Sequence, residues 1–160
     1  MKNHLITLLI LSISSSIYSQ CNYKTTHRPD GIEMNYFNPQ PVAKQESIEI
    51  GLAIYKNKTT AEYFLNVSIL FKKGVPKELT GSATIQTKSN EGISLPIEVS
   101  EVVKMNGRDV SIGLYRIDER DFKILENYSL KSVFVNLGNK LTGANITMNE
   151  AILINQLKCL

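Results

Sequence analysis

From Ile48 to Tyr55 the chain alternates strictly, with Ile48, Ile50, Leu52 and Ile54 on one side. A period of two is the signature of a half-buried strand. Lys56 to Thr60 interrupts it as a polar loop. The alternation resumes from Glu62 to Phe71, with Tyr63, Leu65, Val67, Ile69 and Phe71 on one side. These runs predict the central hairpin of a sheet, ended by the stretch Lys72 to Pro76.

A second pair is predicted from Gly81 to Lys88 and from Ile93 to Val99, joined by a turn at Ser89 to Gly92. Pro96 has no N–H to donate, so it implies an edge position or a bulge. The strongest local signal is Asn106-Gly107 between Val102–Met105 and Arg108–Ile117. Asn-Gly favours the type I′ turn of a two-residue hairpin. On the returning strand, Val110, Ile112 and Leu114 are the expected inward residues.

At Asp118 the pattern changes. Asp118 can cap a helix start, Asp121 stands three residues on, and Ile117 can staple onto Phe122. A short helix is expected over 119–127, burying Phe122 and Leu125. Leu130 to Leu137 returns to the sheet and turns at Gly138-Asn139, with a short strand following at Ala144 to Ile146. Thr147 and Glu150 have the spacing of a capping box, so a C-terminal helix is expected near 148–159. The fold class that results is mainly β. It is an antiparallel β-sandwich of about seven or eight strands, with one short helix near 119–127 and another near 148–159.

The first nineteen residues stand apart. Lys2 precedes an apolar run from Leu5 to Ile13, and small residues follow to Ser19. That is the layout of a secretory signal peptide, and the run is well short of the ~20 residues a membrane-spanning helix needs. Residues 1–19 are therefore expected to be removed, leaving 20–160 as a single β-rich domain. Cys21 follows at once, and the remaining cysteine is Cys159. In an oxidising compartment this pair is expected to form a disulfide. Two unpaired thiols, or a lipid anchor at Cys21, are the alternatives. Gln20 and Tyr18 stand where a lipoprotein signal wants small and aliphatic residues, so cleavage after Ser19 is favoured over lipidation.

Removing Lys2 takes the formal charge from +3 to +2. A near-neutral chain with interspersed charges argues against a nucleic-acid partner. No later apolar stretch predicts a transmembrane segment. His27 is the only histidine after cleavage, so zinc ligation and histidine-based nucleophilic sites lack their usual members. No cofactor is expected. The alternating prolines of Asn38 to Pro41 imply an extended connection. Four Asn-x-Ser/Thr triplets begin at Asn57, Asn66, Asn127 and Asn145. A leader of bacterial style gives them no role.

Two candidate chemistries remain. Tyr36, Phe37, Tyr55, Tyr63 and Phe64 surround the first hairpin and the proline segment, and Tyr55 and Phe64 lie opposite the aliphatic rows of their strands. An outward aromatic cluster is a candidate binding surface, unless a helix or the N-terminal segment covers it. The acids Glu98, Glu101, Asp109, Asp118 and Asp121 could serve a hydrolase if two of them converged in a pocket.

The end of the leader, Tyr-Ser-Gln20 before Cys21, resembles exported proteins of the Bacteroidetes group. The tail resembles small uncharacterised secreted proteins of that group, through Ile117-Asp-Glu-Arg-Asp-Phe122, Leu125, Lys131-Ser-Val-Phe134 and Leu157-Lys-Cys-Leu160. The resemblance implies a periplasmic or secreted location and carries no activity. The expected function is a non-enzymatic binding or interaction module for a protein or glycan partner. A carboxylate-dependent hydrolase of glycans or cell wall and a structural envelope component are the alternatives.

Overall fold

A computed structural model describes residues 21–27 and 31–160. The expected leader and its expected cleavage junction lie outside the described residues. Ten strands and two helices follow in order. They are β1 (Lys24–His27), β2 (Glu33–Tyr36), β3 (Gln40–Lys44), β4 (Ile48–Asn57), β5 (Tyr63–Phe71), β6 (Leu79–Thr87), β7 (Gly92–Met105), β8 (Arg108–Ile117), α1 (Glu119–Asn127), β9 (Leu130–Leu137), β10 (Lys140–Asn145) and α2 (Ile152–Leu157). The fold is mainly β and antiparallel, with strand order β1-β2-β4-β5-β8-β7-β6-β9-β10 and β3 also on β4.

β7 holds the two halves together. Residues from Gly92 to Pro96 pair with β6, and those from Ile97 to Met105 pair with β8. The register shifts between Ile97 and Val99, directly after Pro96. A bulge bends a strand and increases its twist, which lets one strand serve two layers. The expected separate strands before and after Val99 are thus one strand of 14 residues. No turn residue divides them, and the bulge absorbs the bend.

Both halves feed one core. Ile50, Leu52, Ile54, Leu65, Val67 and Ile69 from the larger half meet Leu79, Ile85, Leu95, Val133 and Val135 from the smaller one. The Asn-Gly turn forms as expected, with positive φ at Asn106 and Gly107 and Met105 paired with Arg108. α1 begins on Asp118, whose Oδ1 accepts the Asp121 N–H at 2.8 Å. Leu125 and Ile124 are its buried residues, and Phe122 packs half-buried against the core.

Three expectations need correction. The inward residues of β8 are Ser111, Gly113, Tyr115 and Ile117, which sit opposite the core residues Ile69, Val67 and Leu65 and the partly buried Tyr63. Ile112 and Leu114 face the other way and are half-buried. The Tyr115 ring fills the space over Gly113, where a Cβ would lie 2.8 Å from Tyr115 Cε2 and 2.9 Å from Leu79 Cδ1. The Thr147–Glu150 capping box does not form. Asn149 takes a left-handed φ of 52°, and the N–H groups of Thr147 and Met148 bond to Val42 O. Helical geometry therefore starts only at Ile152, with no side-chain cap. Lastly, the N-terminal region contributes β1, β2 and β3, which the alternation did not reveal.

Cys21 and Cys159 are joined, closing a loop across 138 positions. That sulfur is not free for a thioether-linked lipid. The bond seats α2 beside β4, where Leu153 and Leu157 enter the core. β4 has a gap along this edge between β2 and β3. Gln156 fills it, its Oε1 accepting the Ile54 N–H at 2.7 Å. A buried N–H left unpaired there would be costly. Among the described residues, no helix is long and apolar enough to cross a membrane.

Candidate functional site

Side chains alternate across a sheet, so the larger half has a second face opposite the core. The register β2-β4-β5-β8 sets Tyr36 against Tyr55, Tyr55 against Phe64, and Phe64 against Arg116. Three aromatic residues and an arginine thus form one row across four strands. The rings of Tyr36 and Tyr55 lie 5.3 Å apart at 45°. Arg116 is held at the far end by Glu98 at 3.0 Å and Glu62 at 3.7 Å. Aromatic cross-strand pairs of this kind add stability as well as surface.

Next to this row the side chains are small. Gly51, Ala53, Asn66 and Ser68 occupy adjoining outward positions on β4 and β5. Ser68 Oγ donates to Asn66 Oδ1 at 2.8 Å, so Asn66 is fixed although almost fully buried. Burial pushes the Tyr55 hydroxyl above its ordinary pKa and the Tyr36 neighbour adds to this, while a hydrogen bond with Asn66 acts the opposite way. Beyond the small residues lies a cleft of about 680 Å³ walled by Pro39, Pro41, Leu70, Val110 and Met105. Gly51 forms its floor, and a Cβ there would come within 3.3 Å of Pro39 Cβ. The proline segment is therefore a wall of the cleft, and Pro41 itself belongs to the bulged edge strand β3.

Of the five aromatic candidates, the structure brings together Tyr36, Tyr55 and Phe64. Phe37 points away because it follows Tyr36 in an extended segment. It is buried, edge-on to Tyr23 at 6.2 Å, and lines a cleft with Cys21, Gln156 and Cys159. Tyr63 precedes Phe64 and lies on the core side, 4.8 Å from Phe122 with Lys56 Nζ 5.0 Å above its ring. Both belong to the packing, not to the aromatic row. Arg116 and the small trough residues were not singled out from sequence, and Glu98 was expected only as a candidate acid. Their signal was the outward phase of the same alternation, and it needed the strand register to become a surface.

Several of the acids have other occupations. Glu98 holds Arg116, Glu119 holds Lys123 at 2.8 Å, and Asp118 caps α1. Asp118 also lines a cleft with Glu62 and Glu119 beside Phe122. Asp121 has a raised pKa, first from burial and then from the charge of Asp118. His27 is exposed on β1. Among the described residues, no group of three or more His, Cys, Asp or Glu is placed to hold a metal ion.

No protein-family model matches the chain, no curated protein matches its sequence, and no solved structure matches its fold.

Proposed function

We propose that this is an exported, non-enzymatic binding module that recognises another protein through the outward face of its larger half-sheet. The observation that carries the reading is the row Tyr36–Tyr55–Phe64–Arg116. Tyrosine and arginine dominate the energetic centres of protein interfaces, where few residues supply most of the affinity. The adjoining trough gives such a centre a recess to receive a partner's side chain. Export is supported by the leader pattern and by a disulfide, which persists in oxidising compartments. The likeness of leader and tail to secreted Bacteroidetes proteins favours a bacterial periplasm or cell exterior.

Capture from envelope extract tests the reading, comparing the wild type with Tyr55→Ala/Phe64→Ala. A reproducible protein recovered by the wild type and lost with the folded double variant supports it. Recovery that disappears on glycosidase treatment of the extract, or no reproducible partner, overturns it.

One observation favours the structural-component alternative. From Ile97 to Met105, β7 has β8 on one side and no strand on the other among the described residues. Val99, Val102 and Met105 are exposed along this edge. An open apolar edge is a template for strand addition. Sedimentation across a concentration series distinguishes the readings: a stable oligomer abolished by Val99→Lys selects self-assembly.

A further inference from the structure

The two most exposed large apolar side chains among the described residues are Val75, 77% exposed, and Leu141, 64% exposed. Single exposed aliphatics are common and need no explanation. These two, however, line the same cleft of about 390 Å³ at one end of the sandwich. It lies at the end of β4 and β5 marked by Ile48 and Phe71, away from the disulfide and α2. Val75 belongs to the loop Lys72 to Lys77, between Gly74 with its φ of 91° and Pro76. Leu141 follows the tight turn from β9 to β10.

The charge that lines this cleft has one sign. Every charged residue lining the cleft is a lysine: Lys73, Lys77 and Lys140. Lys72 adjoins them, anchored through Nζ to Gln45 O at 3.1 Å. Glu46 pairs with Lys73 on the exposed rim at 2.7 Å. Lys77 and Lys140 have no ion-pair partner among the described residues. Behind the rim, Ile48, Phe71 and Leu137 supply an apolar floor.

We infer that this end of the sandwich docks on an anionic lipid surface. Projecting aliphatic tips set among lysines match the layered chemistry of a bilayer surface. The lysines meet phosphate groups while Val75 and Leu141 enter the boundary of the acyl region. Their flexible stems let lysine ammonium groups stay at headgroup level as the tips enter. The aromatic row lies on a sheet face and not at this end, so docking leaves it open to a partner.

The mature, disulfide-bonded chain provides its own test because it contains no tryptophan. Trp introduced as Val75→Trp is then a lone fluorophore at the tip. With phosphatidylglycerol-containing vesicles its emission should shift to the blue, and with phosphatidylcholine alone it should not. In flotation assays, Lys73→Gln/Lys77→Gln/Lys140→Gln should weaken partitioning about a hundredfold at low salt, roughly fivefold per lysine. Val75→Ser/Leu141→Ser should weaken it in vesicles of the same charge. Unchanged emission on anionic vesicles, equal binding to neutral ones, or full retention by the triple variant overturns the inference. So does a chain that ignores vesicles yet is retained by polyglutamate beads, which would assign the site to an acidic polypeptide.

Discussion

The two faces of β4 and β5 are built from the same strands, yet they differ in kind. The core side carries Ile48, Ile50, Leu52, Ile54, Leu65, Val67 and Ile69, all buried and almost entirely aliphatic. The outward side carries Tyr55 and Phe64 with Gly51, Ala53, Asn66 and Ser68 between them and the proline-walled cleft. Aliphatic side chains packed to high density give stability and little that a partner could distinguish. Rings beside small residues give relief, polar tips and a fixed arginine. The comparison separates what folds this protein from what it presents. Changes on the core side should move stability, and changes on the outward side should move binding.

Opening the clasp should produce the largest effect. Cys159→Ser, or reduction, removes a closure that the loop-entropy model values at about 5 kcal/mol as an upper figure. Chemical denaturation should show the loss, and α2, which seals the core side beside β4, should lose amide protection first. Leu52→Ala comes next. Its side chain is fully buried, and truncation there should cost about 2–5 kcal/mol while leaving capture of a partner intact in the folded fraction. The reverse pattern is expected for Tyr55→Ala, with partner affinity falling about thirtyfold, in the range of an interface hot spot, and a smaller change in melting temperature than for Leu52→Ala.

The smallest effect concerns Tyr115, the one aromatic residue wholly on the core side of β8. Its hydroxyl is buried without a hydrogen-bond partner among the described residues, and burial pushes its pKa from 10.0 up to about 12. Over that interval the unfolded chain gives up the proton while the folded chain retains it. Folding stability should therefore fall as pH rises from 10 towards 12. Tyr115→Phe should flatten that decline and raise neutral-pH stability by about 1 kcal/mol, because an unsatisfied buried hydroxyl is unfavourable. Thermal melts of both proteins across the alkaline range check the sign. A steeper alkaline loss in the variant contradicts it.

The parts of this architecture visible in the sequence are those whose cause is local. The alternation of β4 and β5, the Asn106-Gly107 turn and the Asp118 cap each lie within a few residues of one another. β1, β2 and β3 were hidden because these strands of four or five residues are rich in polar residues, with Pro41 in β3, and show no apolar alternation. β8 was read in the wrong phase because its three aliphatics seemed the natural core. The space that decides it belongs to Tyr115 folded over Gly113 against Leu79, a long-range fit. The C-terminal helix starts late for a similar reason: β3 captures the backbone of Thr147 and Met148 before a cap can form. At the candidate surface, Tyr55 and Phe64 were legible from phase alone. The position of Arg116 opposite Phe64 required the pairing of β5 with β8.

Residues Tyr63 and Phe64 allow the central claim to be tested within one dipeptide, since they share a strand and point to opposite faces. A photo-crosslinking phenylalanine analogue is placed at position 64 or at position 63, and each folded protein is irradiated in envelope extract. The account predicts a discrete protein adduct from position 64 and none from position 63. No adduct from position 64, or equal adducts from both, would contradict it.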